Sequence, residues 1–423
     1  MIRRRAVLGA GVVYGVASGV ALTGCTAGEA DTPTPSQQFD PNDWASVRAQ
    51  FALDPKLAHF ASFLFASHPA PVRQAIDRHR AGLDADPAGY LEKDIEYEER
   101  VRTAAAEYLG AQPGDVALTD STTMGTGLVC GGLKLKPGQD VLTTEHDFFG
   151  TYDALQKLTA RTGARVRRVR LYDAPATATA GDAVTRLKAA IGPQTRLVVV
   201  TWVHSSTGVR LPVPEIAAML RTVNAGRAPA DQALLFVDGV HGFGAVDTKV
   251  ADLGCDFFTT GTHKWLHGPR GTGVLWSKSW DAIAPVIPSF SMPDAPGRLA
   301  TPGGYHSAEH RWALAEAFEF HAAIGRSRIG ARITEQATQL KDGLAGIASV
   351  TLATPKAAEL SAGLVMCSID GVAPHQAAGT LRRDHGIVAS VTPYNDPLLR
   401  FGPGIVTTPE EVERVVKAVA SIN

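Results

Sequence analysis

From about residue 90 onward, short β-rich runs of this 423-residue chain alternate with helical patterns. Such alternation is typical of βαβ units, whose strands form a mainly parallel sheet covered by helices. The runs are apolar, as expected of strands that are buried on both faces. The predicted strands are residues 140–144, 197–203, 234–237, 257–260 and 273–276. The predicted fold class is therefore α/β.

The alternation stops within residues 283–304, a stretch rich in proline, serine and glycine. We interpret this stretch as a domain boundary. Residues 42–290 are expected to form an N-terminal segment and a large domain that contains the main sheet. Residues 291–423 are expected to form a smaller α+β domain at the C-terminal end.

Two helical patterns are expected in the smaller domain. The first covers residues 307–324. There Leu314, Phe318 and Ala322 recur at a spacing that places them on one helix face. The second is the last helix of the chain, which follows a capping box with proline in its first turn at residues 408–411.

The N-terminus differs from the rest of the chain. Arginines at positions 3–5 precede a mildly apolar, glycine-rich stretch that ends in Leu-Thr-Gly-Cys25. The basic cluster resembles a twin-arginine signal, and the last four residues resemble a bacterial lipobox that would make Cys25 the lipidated residue. The stretch is short for a membrane-spanning helix, so cleavage is favoured over an uncleaved anchor. We predict an export signal at 1–25, a tether at 26–41 and a lipid-anchored exported protein, with a cytoplasmic protein as the alternative.

Charge and cysteine usage exclude several classes of protein. Lysine plus arginine number 41 and aspartate plus glutamate 42, and no basic run with interleaved aromatics follows the N-terminus. Nucleic-acid binding is therefore not expected. Cys130, Cys255 and Cys367 lie among apolar or small residues and not at metal-ligand spacing. We expect buried thiols, no disulfide framework and no metal site.

The strongest chemical signal is Asp238, which ends an apolar run, followed 26 residues later by Lys264. An aspartate at the end of a buried strand can keep a pyridine nitrogen protonated, and a lysine can bind an aldehyde cofactor as a Schiff base. Taken singly, a strand-terminal aspartate is commonly a helix cap and a lysine is commonly solvated. The pair at this spacing favours a pyridoxal phosphate (PLP) site.

Six motifs together carry a resemblance to a known family. They are residues 119–123, 144–146 and 203–208, Asp238 with His241, and residues 263–271 and 399–401. From about Phe60 to the C-terminus, the chain resembles the class V aminotransferase family, in the branch of isopenicillin N epimerases and cysteine desulfurases. The resemblance implies a fold-type I PLP-dependent transferase in which Lys264 bears the cofactor and Asp238 pairs with its ring nitrogen.

The resemblance assigns the cofactor phosphate to the loop of Ser121, Thr122 and Thr123. Their hydroxyls precede an apolar helical run, whose amino terminus can hold an anion. An ordinary N-cap is the simpler role for one of them.

His263 and a hydroxyl from Thr260 or Thr262 are expected to complete the phosphate site. Desulfurases carry serine at the position of Gly261, and this chain does not. Which threonine substitutes stays open.

The resemblance also assigns residues to the cofactor ring. His146 matches the residue that stacks on the ring, with Phe148 as the alternative. Ser205 and His241 match positions that face the ring oxygen.

Arg400 matches the arginine that binds the substrate carboxylate, because a guanidinium forms a bidentate fork with an amino-acid carboxylate. A salt bridge to a nearby acid is the alternative. Many relatives carry serine at the position of Gly402.

Two further expectations rest on the resemblance alone. Arg298 and residues 301–304 occupy the stretch that reaches the partner subunit's phosphate in relatives, which implies a homodimer with shared sites. The side-chain pocket is expected around residues 63–68, in particular Phe63, Phe65, Ser67 and His68.

The sequence restricts the reaction without fixing it. Residues 385–400 contain no cysteine, so the mobile nucleophilic thiol of a desulfurase is not expected. Transamination, epimerisation and elimination at a carbon–sulfur bond stay open for an amino-acid substrate. A non-catalytic PLP-fold binding module is the third reading, although it would have no need of Lys264. We favour an aminotransferase-type enzyme of the epimerase-like branch.

Overall fold

The computed structural model describes residues 39–291 and 294–422. The strands are β1 Ala58–His59, β2 Val116–Thr119, β3 Asp140–Thr144, β4 Arg165–Val169, β5 Thr195–Thr201, β6 Leu234–Asp238, β7 Phe257–Gly261, β8 Gly273–Ser277, β9 Val350–Leu352, β10 Val365–Ile369, β11 Ile387–Val388, β12 Ser390–Val391 and β13 Leu399–Phe401. The α-helices are α1 Trp44–Ala49, α2 Ala70–Ala85, α3 Pro87–Leu91, α4 Asp94–Leu109, α5 Thr122–Gly132, α6 Phe149–Thr162, α7 Ala180–Ala190, α8 Val213–Asn224, α9 Pro296–Leu299, α10 Ala308–Trp312, α11 Leu314–Ile324, α12 Arg326–Ala345, α13 Pro374–His385 and α14 Pro409–Ala420.

Seven of these strands form one large sheet in the order β2-β8-β7-β6-β5-β3-β4. β8 pairs antiparallel with both of its neighbours, and the other pairs are parallel. Both faces are covered, because Leu197 and Val199 of β5 pack into one hydrophobic core and Val198 and Val200 into another. The mainly parallel α/β sheet is confirmed.

Two strands of the large sheet were not predicted. β4 has the sequence Arg-Val-Arg-Arg-Val. A strand with three arginines can belong to this sheet because β4 lies at its edge, where it pairs only with β3 among the described strands. Its Arg167 forms a two-point salt bridge with Asp140 of β3, at 2.9 and 3.2 Å. β2 is a four-residue strand at the opposite edge. The fifth strand also begins and ends two residues earlier than predicted, at Thr195–Thr201.

A smaller antiparallel sheet has the order β12-β13-β10-β9, and it packs on α12, α13 and α14. β1 pairs with β11 in parallel, which attaches the N-terminal segment to this region. A separate hydrophobic core includes Ala58, Phe60 and residues from Ala337 onward, whereas Ala313 to Ile333 contribute to a core of the large sheet. The described residues belong to one compact unit, and the division predicted at 290/291 stays a prediction.

The helices of the C-terminal part confirm one expectation and correct another. α14 begins with the predicted capping box, in which Thr408 and Glu411 bond reciprocally. The pattern at 307–324 forms two helices, α10 and α11. In α11 Leu314 and Phe318 are buried as predicted, but Ala322 is exposed and His321 is buried instead. His321 lies seven residues after Leu314, which is two helical turns and hence the same face.

The predicted export signal with Cys25 and most of the predicted tether lie outside the described residues. Within residues 39–291 and 294–422, no helix is both long and apolar enough to span a membrane.

Candidate active site

The loops after β2, β3, β5, β6 and β7 lie at one edge of the large sheet, because these strands all run in the same direction. In open α/β sheets, ligands bind in the crevice outside the carboxyl ends of the strands. The predicted site residues in these loops or at the ends of these strands are Ser121, Thr122, His146, Ser205, Asp238, His241, His263 and Lys264.

Asp238 is the last residue of β6 and is only 4% exposed. Its Oδ1 accepts a hydrogen bond from the amide of Val240 at 3.1 Å. Burial raises the pKa of Asp238 to about 6, and the Val240 amide and the charge of Lys264 oppose this rise. The ionised carboxylate would therefore be stabilised by a further cationic partner in the cleft.

Lys264 lies three residues after β7, deep in the cleft. Its Nζ is 3.5 Å from His241 Nε2. Burial lowers the pKa of Lys264 to about 8; Asp238 opposes this shift and Arg400 adds to it. A lysine with a lowered pKa has a larger fraction of neutral amine near neutral pH, which is the form that acts as a nucleophile and a base.

Two histidines beside Lys264 each have a buried nitrogen without a hydrogen-bond partner among the described residues. These atoms are His241 Nδ1 and His263 Nδ1. Burial lowers the pKa of both rings, and the charge of Lys264 adds to the effect. Both rings are therefore neutral at neutral pH, and each offers a nitrogen to a polar ligand atom.

The amino terminus of α5 lies at the same sheet edge. Ser121 caps this helix, since its Oγ accepts a hydrogen bond from the amide of Met124 at 3.1 Å. The same hydroxyl donates to Asp120 Oδ1 at 2.6 Å. Thr123, at the second helical position, is exposed. Ser121 thus has the ordinary N-cap role, and the first-turn amides of α5 carry the partial positive charge that attracts anions.

Thr122 connects α5 to the end of β7, because its Oγ1 accepts a hydrogen bond from the amide of Gly261 at 2.7 Å. The loop that follows β7, residues 262–272, carries Lys264 and is called the lysine loop. A Cβ atom on Gly261 would lie 2.8 Å from His263 Cε1 and 3.4 Å from Thr122 Oγ1. A serine at this position would therefore displace the ring of His263. The hydroxyl of Thr122 lies beside the position where that serine would be.

The hydroxyls of Thr260 and Thr262 are buried and bonded to the protein. Thr262 Oγ1 is 2.5 Å from Thr272 Oγ1, and Thr260 Oγ1 donates to the carbonyl of Gly261 at 3.2 Å. Thr262, which was predicted as a phosphate ligand, therefore has its hydroxyl engaged within the chain.

His146 lies two residues after β3, with its ring stacked on Tyr172. The ring centroids are 3.9 Å apart and the planes differ by 11°. His146 Nε2 accepts a hydrogen bond from the amide of Leu171 at 3.2 Å, and burial lowers the pKa of His146 to about 4. The neutral ring is thus held in a fixed plane. Tyr172 covers one face, and the opposite face is the one that a planar ligand could use.

Arg400 lies in β13 and is buried. It donates from Nη1 to the carbonyl of Ser205 and from Nε to Ser390 Oγ, each at 3.1 Å. Burial lowers the pKa of Arg400 to about 10, and Tyr394 opposes this shift. No carboxylate among the described residues forms a salt bridge with Arg400, so the guanidinium is available to an anionic ligand.

Tyr394 enters the cleft from the loop between β12 and β13, and its Oη is 2.5 Å from Ser205 Oγ. Ser205 therefore contacts two residues of the C-terminal part of the chain, Tyr394 through its hydroxyl and Arg400 of β13 through its carbonyl.

Residues 90–391 match the family model of class V aminotransferases. The chain belongs to the class V aminotransferase family. It is a PLP-dependent enzyme, as the sequence predicted. The isopenicillin N epimerase of Streptomyces clavuligerus is 27% identical over 406 residues, which cover 90% of this chain and 98% of that protein.

The solved structures of other proteins agree with this fold. A variant of C-DES with glycine covalently linked to its PLP cofactor superposes with a TM-score of 0.82 at 22% identity, covering 89% of this chain and 99% of that one. The cystine C-S lyase C-DES in complex with cysteine persulfide superposes with a TM-score of 0.79 at 23% identity, covering 87% and 98%. At these identities the likeness concerns the fold, which is that of a fold-type I PLP enzyme.

The cleft of this class V member fits PLP in three ways. Asp238 is a buried carboxylate whose ionisation a protonated ring nitrogen would favour. His241 and His263 each carry a buried nitrogen with no partner among the described residues. The α5 amino terminus and Thr122 supply donors for a phosphate near His263.

Two aromatic residues of the site were missed from sequence. Tyr172 supports His146, and Tyr394 bonds Ser205. A tyrosine in a loop carries no local pattern that marks it as a site residue, so only the fold identifies these two. Phe148, the alternative to His146, precedes α6 with its ring 3.9 Å from that of Phe149, which is exposed.

The segment predicted to shape the side-chain pocket lies against the lysine loop. Phe63 is buried and lies 5.0 Å from the guanidinium of Arg400, while Phe65 is exposed and lies 5.7 Å from His263. The carbonyl of Ser67 bonds to His267, and His68 is buried, with both ring nitrogens lacking a partner among the described residues.

The stretch that was expected to reach a partner subunit is partly engaged within the chain. Arg298 pairs with Glu99 and Asp294. Thr301 is buried and bonds to Leu118 and Arg102. Gly304 is exposed and is the part of the stretch that is open to a neighbour.

Proposed function

We propose that this enzyme epimerises an amino acid at its α carbon. The proposal rests on two groups in the cleft. Lys264 has a lowered pKa and can accept a proton, and the nearby guanidinium of Arg400 can bind a carboxylate. Cys130, Cys255 and Cys367 are all buried, so no described thiol serves as a mobile nucleophile. Similarity to an isopenicillin N epimerase over nearly its whole length supports the same reaction.

PLP held in this cleft would supply an electron sink that acidifies the α C–H bond of an amino-acid substrate. Asp238, a buried carboxylate, would hold the ring nitrogen protonated and so strengthen that effect. Arg400 binds the substrate carboxylate and so fixes the orientation of the α carbon. The neutral amine of Lys264 accepts the α proton at Nζ.

The remaining residues position the cofactor. We propose that Thr122, the α5 amino terminus and His263 bind the phosphate, with Thr122 in place of Thr262. We also propose that His146, whose ring is stacked on Tyr172, would pack on the cofactor ring, and that Ser205 and His241 would face the ring oxygen. Each of these groups is neutral or a hydrogen-bond donor, which suits an anionic cofactor.

The test is a product assay on the holoenzyme. Isopenicillin N and a panel of free L- and D-amino acids would be incubated with the enzyme, and both enantiomers or epimers would be measured by chiral chromatography. We expect one substrate to give its α epimer without an amino acceptor, and Lys264→Ala to abolish the reaction. Formation of a keto acid only when an amino acceptor is present would instead identify an aminotransferase.

Elimination at a carbon–sulfur bond is the second candidate, and the fold likeness to the cystine C-S lyase C-DES favours it. Lys264 would remove the same α proton, and the sulfur substituent at the β carbon would leave as a thiol or persulfide. The same incubations with cystine and other sulfur amino acids distinguish the two. A keto acid and ammonia released without an amino acceptor would favour the lyase.

We further propose that the enzyme is a homodimer, anchored outside the cytoplasm by a lipid on Cys25. The rings of exposed Phe290 and Tyr305 contact each other, with centroids 4.9 Å apart, beside the stretch expected to meet the partner. Light scattering tests the dimer, and a monomeric mass at micromolar concentration would contradict it. Loss of fatty-acid labelling in Cys25→Ala tests the anchor.

A further inference from the structure

The loop between β12 and β13, residues 392–398, is closed at its base. The amide of Thr392 donates to the carbonyl of Leu398 at 2.9 Å, and the amide of Leu398 donates to Thr392 Oγ1 at 2.8 Å. Within the loop Pro393 and Asn395 are exposed, whereas Tyr394 is partly buried. The loop therefore directs one aromatic side chain into the cleft.

The hydroxyl of Tyr394 has a fixed position there. Its Oη is 2.5 Å from Ser205 Oγ, and the carbonyl of the same serine accepts a hydrogen bond from Arg400 at 3.1 Å. Tyr394 and Arg400 thus meet at Ser205, in the loop after β5, so a ligand carboxylate held by Arg400 would lie near the hydroxyl of Tyr394.

Burial keeps the proton of Tyr394 on its hydroxyl at neutral pH. Burial raises the pKa of Tyr394, and the negative charges of Asp238 and Asp147 act in the same direction. The hydrogen bond from Ser205 and the charge of Arg400 oppose this shift, so they stabilise the phenolate when it forms. Such a group can donate a proton and later recover it.

Lys264 and Tyr394 reach the neighbourhood of Arg400 from different elements. Lys264 comes from the loop after β7 and lies beside His241, whereas Tyr394 comes from the β12–β13 loop and lies beside Ser205. The charge of Arg400 acts on both groups. Inversion at a carbon needs a proton to leave one face and another to arrive at the opposite face, and two separate groups can divide this task.

We propose that Tyr394 is the second catalytic residue and exchanges a proton with the face of the α carbon opposite to the face used by Lys264. This inference rests on the proposed epimerisation. In one direction the α C–H bond breaks and Lys264 Nζ takes the proton; the Tyr394 O–H bond breaks and its proton forms the new C–H bond. The products are a lysine ammonium and a tyrosine phenolate, and exchange with water restores both groups. The reverse reaction uses the phenolate as the base.

Ser205 acts as a positioning residue in this scheme, because its hydroxyl is the hydrogen-bond partner of Tyr394 Oη. Ser205→Ala should lower epimerisation less than Tyr394→Phe does, since the phenol stays in the cleft. Its pH profile should shift as well, because the phenolate loses a hydrogen bond that favours it.

The experiment compares two rates for the holoenzyme in deuterium oxide, with the epimerised substrate from the product assay. One rate is epimerisation, and the other is deuterium incorporation into the α position of unconverted substrate, starting from each epimer. For Tyr394→Phe we expect epimerisation to fall about 100-fold or more. Incorporation should stay within about threefold of wild type for the epimer whose proton Lys264 removes, and should be lost for the other epimer.

Tyr97→Phe is the matched control, since it removes the same hydroxyl from α4, where Tyr97 packs against His79 rather than against the site residues. It should leave both rates unchanged. Equal loss of both rates for both epimers in Tyr394→Phe would mean a structural role and would overturn the proposal, as would unchanged epimerisation.

The two proposals fail differently. If the wild-type holoenzyme epimerises none of the substrates, the proposed function is wrong, and so is the role proposed for Tyr394. If the wild type epimerises a substrate and Tyr394→Phe does so at the same rate, only the assignment of Tyr394 is wrong.

Discussion

At the scale of single residues, burial sets the chemistry of the cleft. Removal from water raises the pKa of Asp238 to about 6 and lowers that of Lys264 to about 8. Both shifts move a charged group toward its neutral form, and they bring the pKa values of the two groups closer together. A bound cation beside Asp238 would reverse the shift of the carboxylate.

Asp238→Asn is expected to stabilise the cofactor-free protein while weakening cofactor binding. The folded-state pKa lies above the ordinary 3.8, so the unfolded chain loses this proton first and stability falls as pH rises from about 4 to about 6. Above that window the penalty is about 3 kcal/mol. Denaturant unfolding of the apoprotein should show Asp238→Asn more stable by up to this amount at pH 7 and by little at pH 4.

Asp384→Asn, an exposed carboxylate in α13, is the control for this comparison. It should change stability little at either pH. A less stable Asp238→Asn apoprotein at pH 7 would contradict the expected cost of burying the carboxylate.

At the scale of elements, strand β13, which carries Arg400, is positioned through a close contact at its end. The amide of Gly402 donates to the carbonyl of Phe60 at 2.7 Å. A Cβ atom on Gly402 would lie 2.2 Å from Phe63 Cδ1. The ring of Phe63 in turn stacks on Trp265 at 5.8 Å and faces Arg400. The serine of many relatives is therefore excluded by Phe63.

Gly402→Ser should destabilise the protein by about 1–3 kcal/mol, because it overpacks a buried site. It should also raise KM for the substrate, since Phe63 packs against Arg400. Gly404→Ser is the matched control: its Cβ would meet nothing closer than Trp265 at 3.8 Å.

A double-mutant cycle with Phe63→Ala isolates this contact. The combined loss in unfolding free energy should be smaller than the sum of the two single losses by more than about 1 kcal/mol, because the truncated ring makes room for the serine. Additive losses would show that the ring of Phe63 is not what excludes a side chain at position 402.

At the scale of the whole molecule, buried neutral histidines couple folding to pH. Besides His241, burial lowers the pKa of five of them far below the ordinary 6.5. The residues with values of about 4 are His68, His146 and His267, and those with values of about 3 are His204 and His321.

Stability is expected to fall as the pH drops from about 6.5 toward 4. In this window the unfolded chain binds protons at these histidines and the folded protein does not, which favours unfolding on acidification. Each histidine contributes up to about 1.4 kcal/mol per pH unit. This outweighs the opposite contribution of Asp238. Urea unfolding midpoints between pH 4 and 7 should show the decline.

His321→Gln should reduce the slope of that decline, since this side chain is fully buried. Exposed His375→Gln is the control and should leave the slope unchanged. A stability that is constant over this pH range would contradict the assignment of neutral buried histidines.

The sequence alone determined the features that local pattern encodes. Apolar runs between helical patterns gave the parallel sheet, and the capping box gave the start of α14. The Asp238 and Lys264 pair followed from residue type and spacing, because an aspartate at a strand end and a lysine in the next loop must meet at one sheet edge. The edge strand β4 was missed because its three arginines hide the apolar pattern.

Tertiary structure decided which side chains converge from distant segments. Tyr394 and Ser205 are 189 residues apart in the chain and meet only when the β12–β13 loop lies next to the loop after β5. The same applies to Phe63, which fills the space that a side chain at position 402 would need. The hydroxyl of Thr262 is engaged with Thr272 rather than left free for a phosphate. Such contacts depend on packing between elements that are distant in the chain, and no periodicity of the sequence indicates them.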